Sequence, residues 1–108
     1  MTDQELIESV AETVMGWHKH HDPNLKYWVN NKFAIQMLRD DFNPLTNANH
    51  WIMVVDRMKE LNFSTFILNR WPNGTEWDAR FVFNRSYFSS TPGHAVCLAA
   101  LKTMEGNT

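Results

Sequence analysis

An α+β fold, an antiparallel sheet sandwiched by helices in three layers (α/β/α), is what this chain predicts, and three observations carry that expectation. Helical periodicity with matching end signals occurs near the N-terminus, in the middle and at the C-terminus. Between these stretches lie short β-type runs that flank Asn-Asn and Pro-Asn-Gly turn signals and read as antiparallel hairpins. Both arms of the pair around Gly74 contain consecutive apolar residues, Phe66-Ile67-Leu68 and Phe81-Val82-Phe83, so side chains on both faces of that hairpin are apolar and call for cover on each side. With 108 residues, one domain spanning 1–108 is expected around one core.

The first helix is announced by Thr2-Asp3-Gln4-Glu5, a capping box in which Thr2 accepts from the backbone three residues on and Glu5 reaches back to the cap. Leu6, Ile7, Val10, Ala11, Val14 and Met15 then share one face, and Gly16 closes the helix in the left-handed conformation. Residues 17–24 have no period and end on a Pro turn, which reads as loop. Tyr27-Trp28-Val29 and Phe33-Ala34-Ile35-Gln36-Met37 flank Asn30-Asn31, two residues suited to a tight hairpin turn, with Phe33, Ile35 and Met37 alternating as a half-buried strand. The competing reading of this segment is a short helix from Lys32 to Arg39.

Thr46 is the expected cap of the middle helix, with Trp51, Ile52, Val55, Met58 and Leu61 as its buried stripe and Asn62 as its left-handed terminus. The hairpin of 66–83 turns at Trp71-Pro72-Asn73-Gly74 and is placed at the centre of the sheet, with the first and last helices on it and the middle helix on the opposite face or edge. Thr91 caps the last helix, Pro92 occupies its first turn, and Val96, Ala99, Ala100 and Leu101 face inward, leaving 105–108 as a frayed tail.

The order and wording of three blocks resemble the phage α/β/α ("ABA") sandwich domain, a family of small phage and prophage proteins of unknown function. Leu6-Ile7-Glu8-Ser9-Val10-Ala11-Glu12 running to Val14-Met15-Gly16-Trp17 is similar to the family's opening helix. Phe42-Asn43-Pro44 with Thr46 is similar to the turn before its second helix. Pro92-Gly93-His94-Ala95-Val96-Cys97-Leu98-Ala99-Ala100-Leu101-Lys102 is similar to its closing helix, with Val96 and Leu98 in place of the usual Ile and Arg. The resemblance implies this fold and a phage or prophage origin, and implies no reaction.

Composition narrows the classes of function. A formal net charge of −2 argues against attachment to nucleic acid through phosphate neutralisation. A single cysteine, Cys97, forms no internal disulfide, and the acidic start together with the absence of a long apolar run leads to the expectation of a cytoplasmic protein with no membrane span. Five Trp, seven Phe and two Tyr are many rings for so small an interior, each worth roughly 150–250 Å² of burial, so some are expected in a subunit interface, in a ligand pocket or partly in solvent.

Four constellations bear on chemistry. Arg70, Trp71, Trp77, Arg80 and Arg85, with Lys26, Lys32, Arg39 and Tyr87 as possible neighbours, combine guanidinium forks and flat rings in the way a small nucleotide needs, although turns and strand edges use the same residues. His18, His20 and His21 beside Asp22 are the weak metal candidates, needing His50 or His94 as a third ligand, and their spacing matches no known site. His94 and Cys97 share one side of the last helix, where a cysteine among Ala and Leu reads as a small buried hydrophobe. Asp40-Asp41 and Asp56 read as solvated surface, and no Gly-rich phosphate loop is present. The expectation is a non-enzymatic accessory protein without cofactor, acting by binding a protein partner or itself as a homo-oligomer. The alternative is a nucleotide-binding sponge that counters host defence, and a metal-dependent enzyme built on the His cluster ranks third.

Overall fold

Helix α1 (Asp3–Ser9) starts as its capping box dictates: the Glu5 N–H donates to the Thr2 hydroxyl and the Thr2 N–H donates to the Glu5 carboxylate, both at 3.1 Å. That backbone donor, with the Thr2 hydroxyl behind it, holds the Glu5 carboxyl below its ordinary value. The computed structural model describes residues 1–63, 66–71, 76–81 and 86–106. After Ser9 the helix widens into a π-helical turn, Val10–Val14, whose signature is the Met15 N–H donating to the Val10 carbonyl at 3.0 Å. Gly16 then turns the chain at φ 74°, and the Trp17 N–H reaches back to Ala11 at 2.9 Å.

Among the described residues two three-stranded antiparallel sheets follow, where the sequence predicts one antiparallel sheet. The first is β1 (His18–Lys19), β2 (Tyr27–Val29) and β3 (Ile35–Leu38), in that order. Strand β1 lies inside the stretch expected to be loop, because His18 and Lys19 pair with Val29 and Trp28. The 27–37 hairpin forms, and not the competing helix, but its turn is longer than two residues. The Asn30 side chain accepts from the N–H groups of Lys32 and Ala34 at 2.9 and 3.0 Å, and the left-handed residue is Phe33, at φ 62°, rather than an Asn. Among the described residues strand β3 is a free edge, and Phe33, in the turn before it, and Ile35 stand in solvent instead of lining a half-buried face.

Helix α2 (Ala48–Glu60) is capped by Asn47, one residue after the expected Thr46, with the Asn47 side chain accepting from the Asn49 N–H at 2.9 Å. Its buried stripe is Val54, Val55 and Met58, while Ile52 turns outward. It closes as predicted on Asn62, at φ 72°, with the Phe63 N–H donating to Met58 and the Asn62 N–H to Lys59, a complete Schellman ending.

The second sheet is β4 (Phe66–Arg70), β5 (Trp77–Phe81) and β6 (Tyr87–Ser89), with β5 central. The Pro72, Asn73 and Gly74 of the predicted turn, Val82 and Phe83 of the predicted strand, and Arg85 lie outside the described residues. The register pairs Phe66 with Phe81, Leu68 with Ala79 and Ala79 with Tyr87, and this face packs into the core. The other face carries Ile67, Asn69, Asp78, Arg80 and Phe88. Its centre is covered by a side chain: the Trp71 indole N–H donates to the Asp78 carboxylate at 2.9 Å, which explains how Asp78 is buried at 7% exposure. Asn69, Arg80 and Phe88 on that face remain exposed, so the helical cover expected on both sides of the hairpin is present on the core-facing side.

Helix α3 (Pro92–Gly106) begins on Thr91 as expected, the Thr91 hydroxyl accepting from the His94 N–H at 3.3 Å. It extends through the expected tail to Gly106. It lies on β5 and β6, and α2 and the π-helical turn pack on α3 rather than mainly on the sheet. The α+β class and the sandwich of helices and antiparallel sheets are as predicted.

Candidate functional site

The predicted Arg/Trp set is divided by strand register. Arg70 stands opposite Trp77, with its guanidinium carbon 5.8 Å from the Trp77 ring centre, so these two share the face that also bears Ala79. Arg80 pairs with Ile67 on the other face, where Trp71 is already engaged with Asp78 and lies 6.0 Å from the Phe88 ring. The four described members are therefore divided two and two between opposite faces of one sheet, and the fifth, Arg85, lies outside the described residues.

The histidines have structural partners. His20 Nδ1 accepts from the Asp22 N–H at 3.0 Å and its ring stacks on His21 at 4.3 Å, while His18 meets the edge of Phe33. His50 Nδ1 accepts from the Asn43 N–H at 2.9 Å and its ring stacks on Phe42, which ties the 42–46 turn to α2. Among the described residues no three His, Cys, Asp or Glu side chains converge as metal ligands. His94 Nε2 lies 3.7 Å from Asp3, and Cys97 is fully buried with its thiol pushed up to about 12 by desolvation. At neutral pH that thiol is protonated and sealed, the opposite of an activated nucleophile.

A cleft of about 450 Å³ opens at a place that sequence reasoning did not single out. It is lined by Met15, Gly16 and Trp17, where the π-helical turn ends, by Asn30, Asn31 and Gln36 of the β2–β3 hairpin, and by Met53, Asp56, Arg57 and Glu60 of α2. The α2 members recur at helical spacing and so form one stripe, the only sign of this wall in the sequence. Arg57 holds the two helices together: its Nε donates to the Val14 carbonyl at 3.2 Å and Nη1 to Glu60 Oε2 at 3.1 Å. Gly16 makes room for this, since a Cβ there would sit 3.3 Å from Arg57 Nη2.

The three blocks singled out in the sequence meet in the interior. Trp17 and Phe42 pack edge to face at 5.0 Å, and Gly93 lets α3 approach so closely that a Cβ would fall 2.4 Å from the Pro44 carbonyl oxygen. The profile of the phage ABA sandwich domain matches residues 8–101, a span that includes all of the second and nearly all of the first and third blocks. No curated protein and no solved structure matches the chain. No described helix is long and apolar enough to cross a membrane. The profile match across most of the chain, together with the convergence of those blocks, makes this a phage-associated protein that belongs to the phage ABA sandwich domain family.

Proposed function

We propose that this protein acts by binding rather than catalysis, and that its first partner is a second copy of itself, joined through the β2–β3 hairpin in the host cytoplasm. The observation that carries the reading is the free edge of β3. Ile35 is 55% exposed and Leu38 40%, on a strand whose outer backbone groups face no neighbouring strand among the described residues, and Phe33, in the turn that leads into it, is 77% exposed. Isolated proteins blunt such edges with charge, proline or a covering loop, because an apolar edge pairs readily with another strand. Phe33 also keeps a left-handed backbone, a conformation that disfavours an L residue by about 1–2 kcal/mol. An aromatic ring held outward at that expense is consistent with a contact made beyond the chain.

Sedimentation velocity over a concentration series tests this. The wild type is expected to run as a dimer or larger, and Phe33→Ser with Ile35→Lys as a monomer with unchanged far-UV circular dichroism. A wild-type mass of one chain at every concentration would overturn the proposal.

The nucleotide-sponge alternative has one pair in its favour, Arg70 over Trp77, where a base could stack beside a guanidinium. A nucleotide at a hundred times its Kd would add about 2.7 kcal/mol of stability. Thermal shifts against cyclic and linear nucleotides, repeated with Arg70→Ala, decide whether that pair binds them.

A further inference from the structure

We infer that the cleft between the end of the first helix, the β2–β3 hairpin and α2 is a binding site for an organic cation carrying a primary amine. The inference is independent of self-association and rests on an inventory of the lining atoms. Arg57 enters the cleft with its charge largely engaged, two of its three nitrogens being bonded to Val14 and Glu60. Asp56 lies one turn from Glu60 on the same stripe and has no hydrogen-bond or ion-pair partner among the described residues.

Two carboxylates against one guanidinium leave the lining with a formal surplus of one negative charge. Acceptors also outnumber donors. Both Asp56 oxygens, Glu60 Oε1 and Gln36 Oε1 are free to accept, since Gln36 donates through Nε2 to Ala34 and Glu60 is bonded through Oε2. Against these stand the Asn30 amide nitrogen, whose oxygen is already taken twice, Arg57 Nη2, the Trp17 indole N–H, and the Asn31 amide, which offers a nitrogen and an oxygen. An ammonium group is three donors and no acceptor, the complement of such a lining.

The remaining walls suit the carbon chain of such a ligand. Met15 and Met53 are partly buried against the core and present soft, adaptable surface. The volume lies within the roughly 300–1,000 Å³ of small-molecule pockets. Part of the lining is the end of a π-helical turn, a feature that recurs at functional sites. A phosphate-bearing ligand meets the wrong field here, which separates this site from the nucleotide alternative at Arg70 and Trp77.

The test is an NMR titration of the full-length ¹⁵N-labelled protein with spermidine, agmatine and, as the anionic counterpart, ADP. Saturable shifts are expected for the two amines at the amides of Gly16, Asn31, Asp56 and Glu60. Asp56→Asn is expected to weaken them about tenfold, whereas Glu105→Gln, an exposed carboxylate at the far end of α3, leaves them unchanged. Asp56 is exposed and has no partner among the described residues, so its substitution should leave the melting midpoint where it is. The inference fails if neither amine saturates, if the Glu105 variant weakens binding as much as the Asp56 variant, or if ADP binds this cleft more tightly than the amines.

Discussion

The junction where Trp17, Phe42, Pro44 and Gly93 meet and the tip of the β2–β3 hairpin are built on opposite terms. At the junction every side chain is answered: Phe42 touches Trp17 and His50, Asn43 is held by His50, and Gly93 sits against two backbone carbonyls with no space for a methyl group. At the hairpin tip the largest side chain, Phe33, meets one ring edge and otherwise water. The stretches that carry the family resemblance converge at the junction. The likeness is thus a record of how the sandwich closes, and recognition has to be sought where the packing stops.

That contrast can be broken by substitution. Phe42→Ala removes a buried ring from the centre of the junction and is expected to lower unfolding free energy by about 3–5 kcal/mol in urea denaturation. A loss below about 1 kcal/mol would mean that the junction is no tighter than the hairpin. Gly93→Ala places a methyl against the Pro44 and Leu45 carbonyls, which are backbone and cannot swing aside, and should remove about 3 kcal/mol. Gly16→Ala adds left-handed strain and crowds Arg57; about 1–2 kcal/mol is expected, with altered amide shifts for the cleft residues.

At the hairpin the sign should reverse. Phe33→Gly relieves the left-handed backbone and removes little buried area, so monomer stability is expected to rise by up to about 1 kcal/mol while self-association weakens. A destabilised monomer would place Phe33 among the residues that hold the fold. The smallest effect concerns Cys97. Its thiol is raised by burial to about 12 in the folded chain, from an ordinary 9.0, so the unfolded chain releases that proton first as pH rises. The contribution is whole below pH 9 and declines between about 9 and 12; from about pH 8 to 9.5 the loss is under about 1 kcal/mol. Cys97→Ala should flatten that slope, and the native thiol should resist a disulfide reagent until the protein unfolds.

Local signals were legible wherever one residue and its near neighbours decide the outcome. The Thr2 capping box, Gly16, Asn62 and the Thr91-Pro92 start all behave as their chemistry requires, because the bonds concerned span a few residues. Asn47 takes the capping place expected of Thr46 because either side chain can cap and the 42–46 turn, tied to α2 through Asn43 and His50, sets the register. Phe33 could not be anticipated: alternation marks which side chains share a face, and says nothing of whether that face is covered or where the turn ends and the strand begins. The Arg/Trp set fared similarly, since proximity in sequence on two paired strands becomes opposite faces once a one-residue offset is applied.

Helix starts and stops to within a residue or two, antiparallel pairing, family membership and a net charge unsuited to phosphate neutralisation were therefore contained in the order of residues, since each follows from short-range bonding, local wording or total charge. The division of the strands into two sheets, the placement of α2 and the π-helical turn upon α3, and the cleft walled by Asp56, Asn31 and Gly16 arose only on folding. Those features join segments far apart in the chain, and which distant surfaces meet is settled by the packing of the whole core.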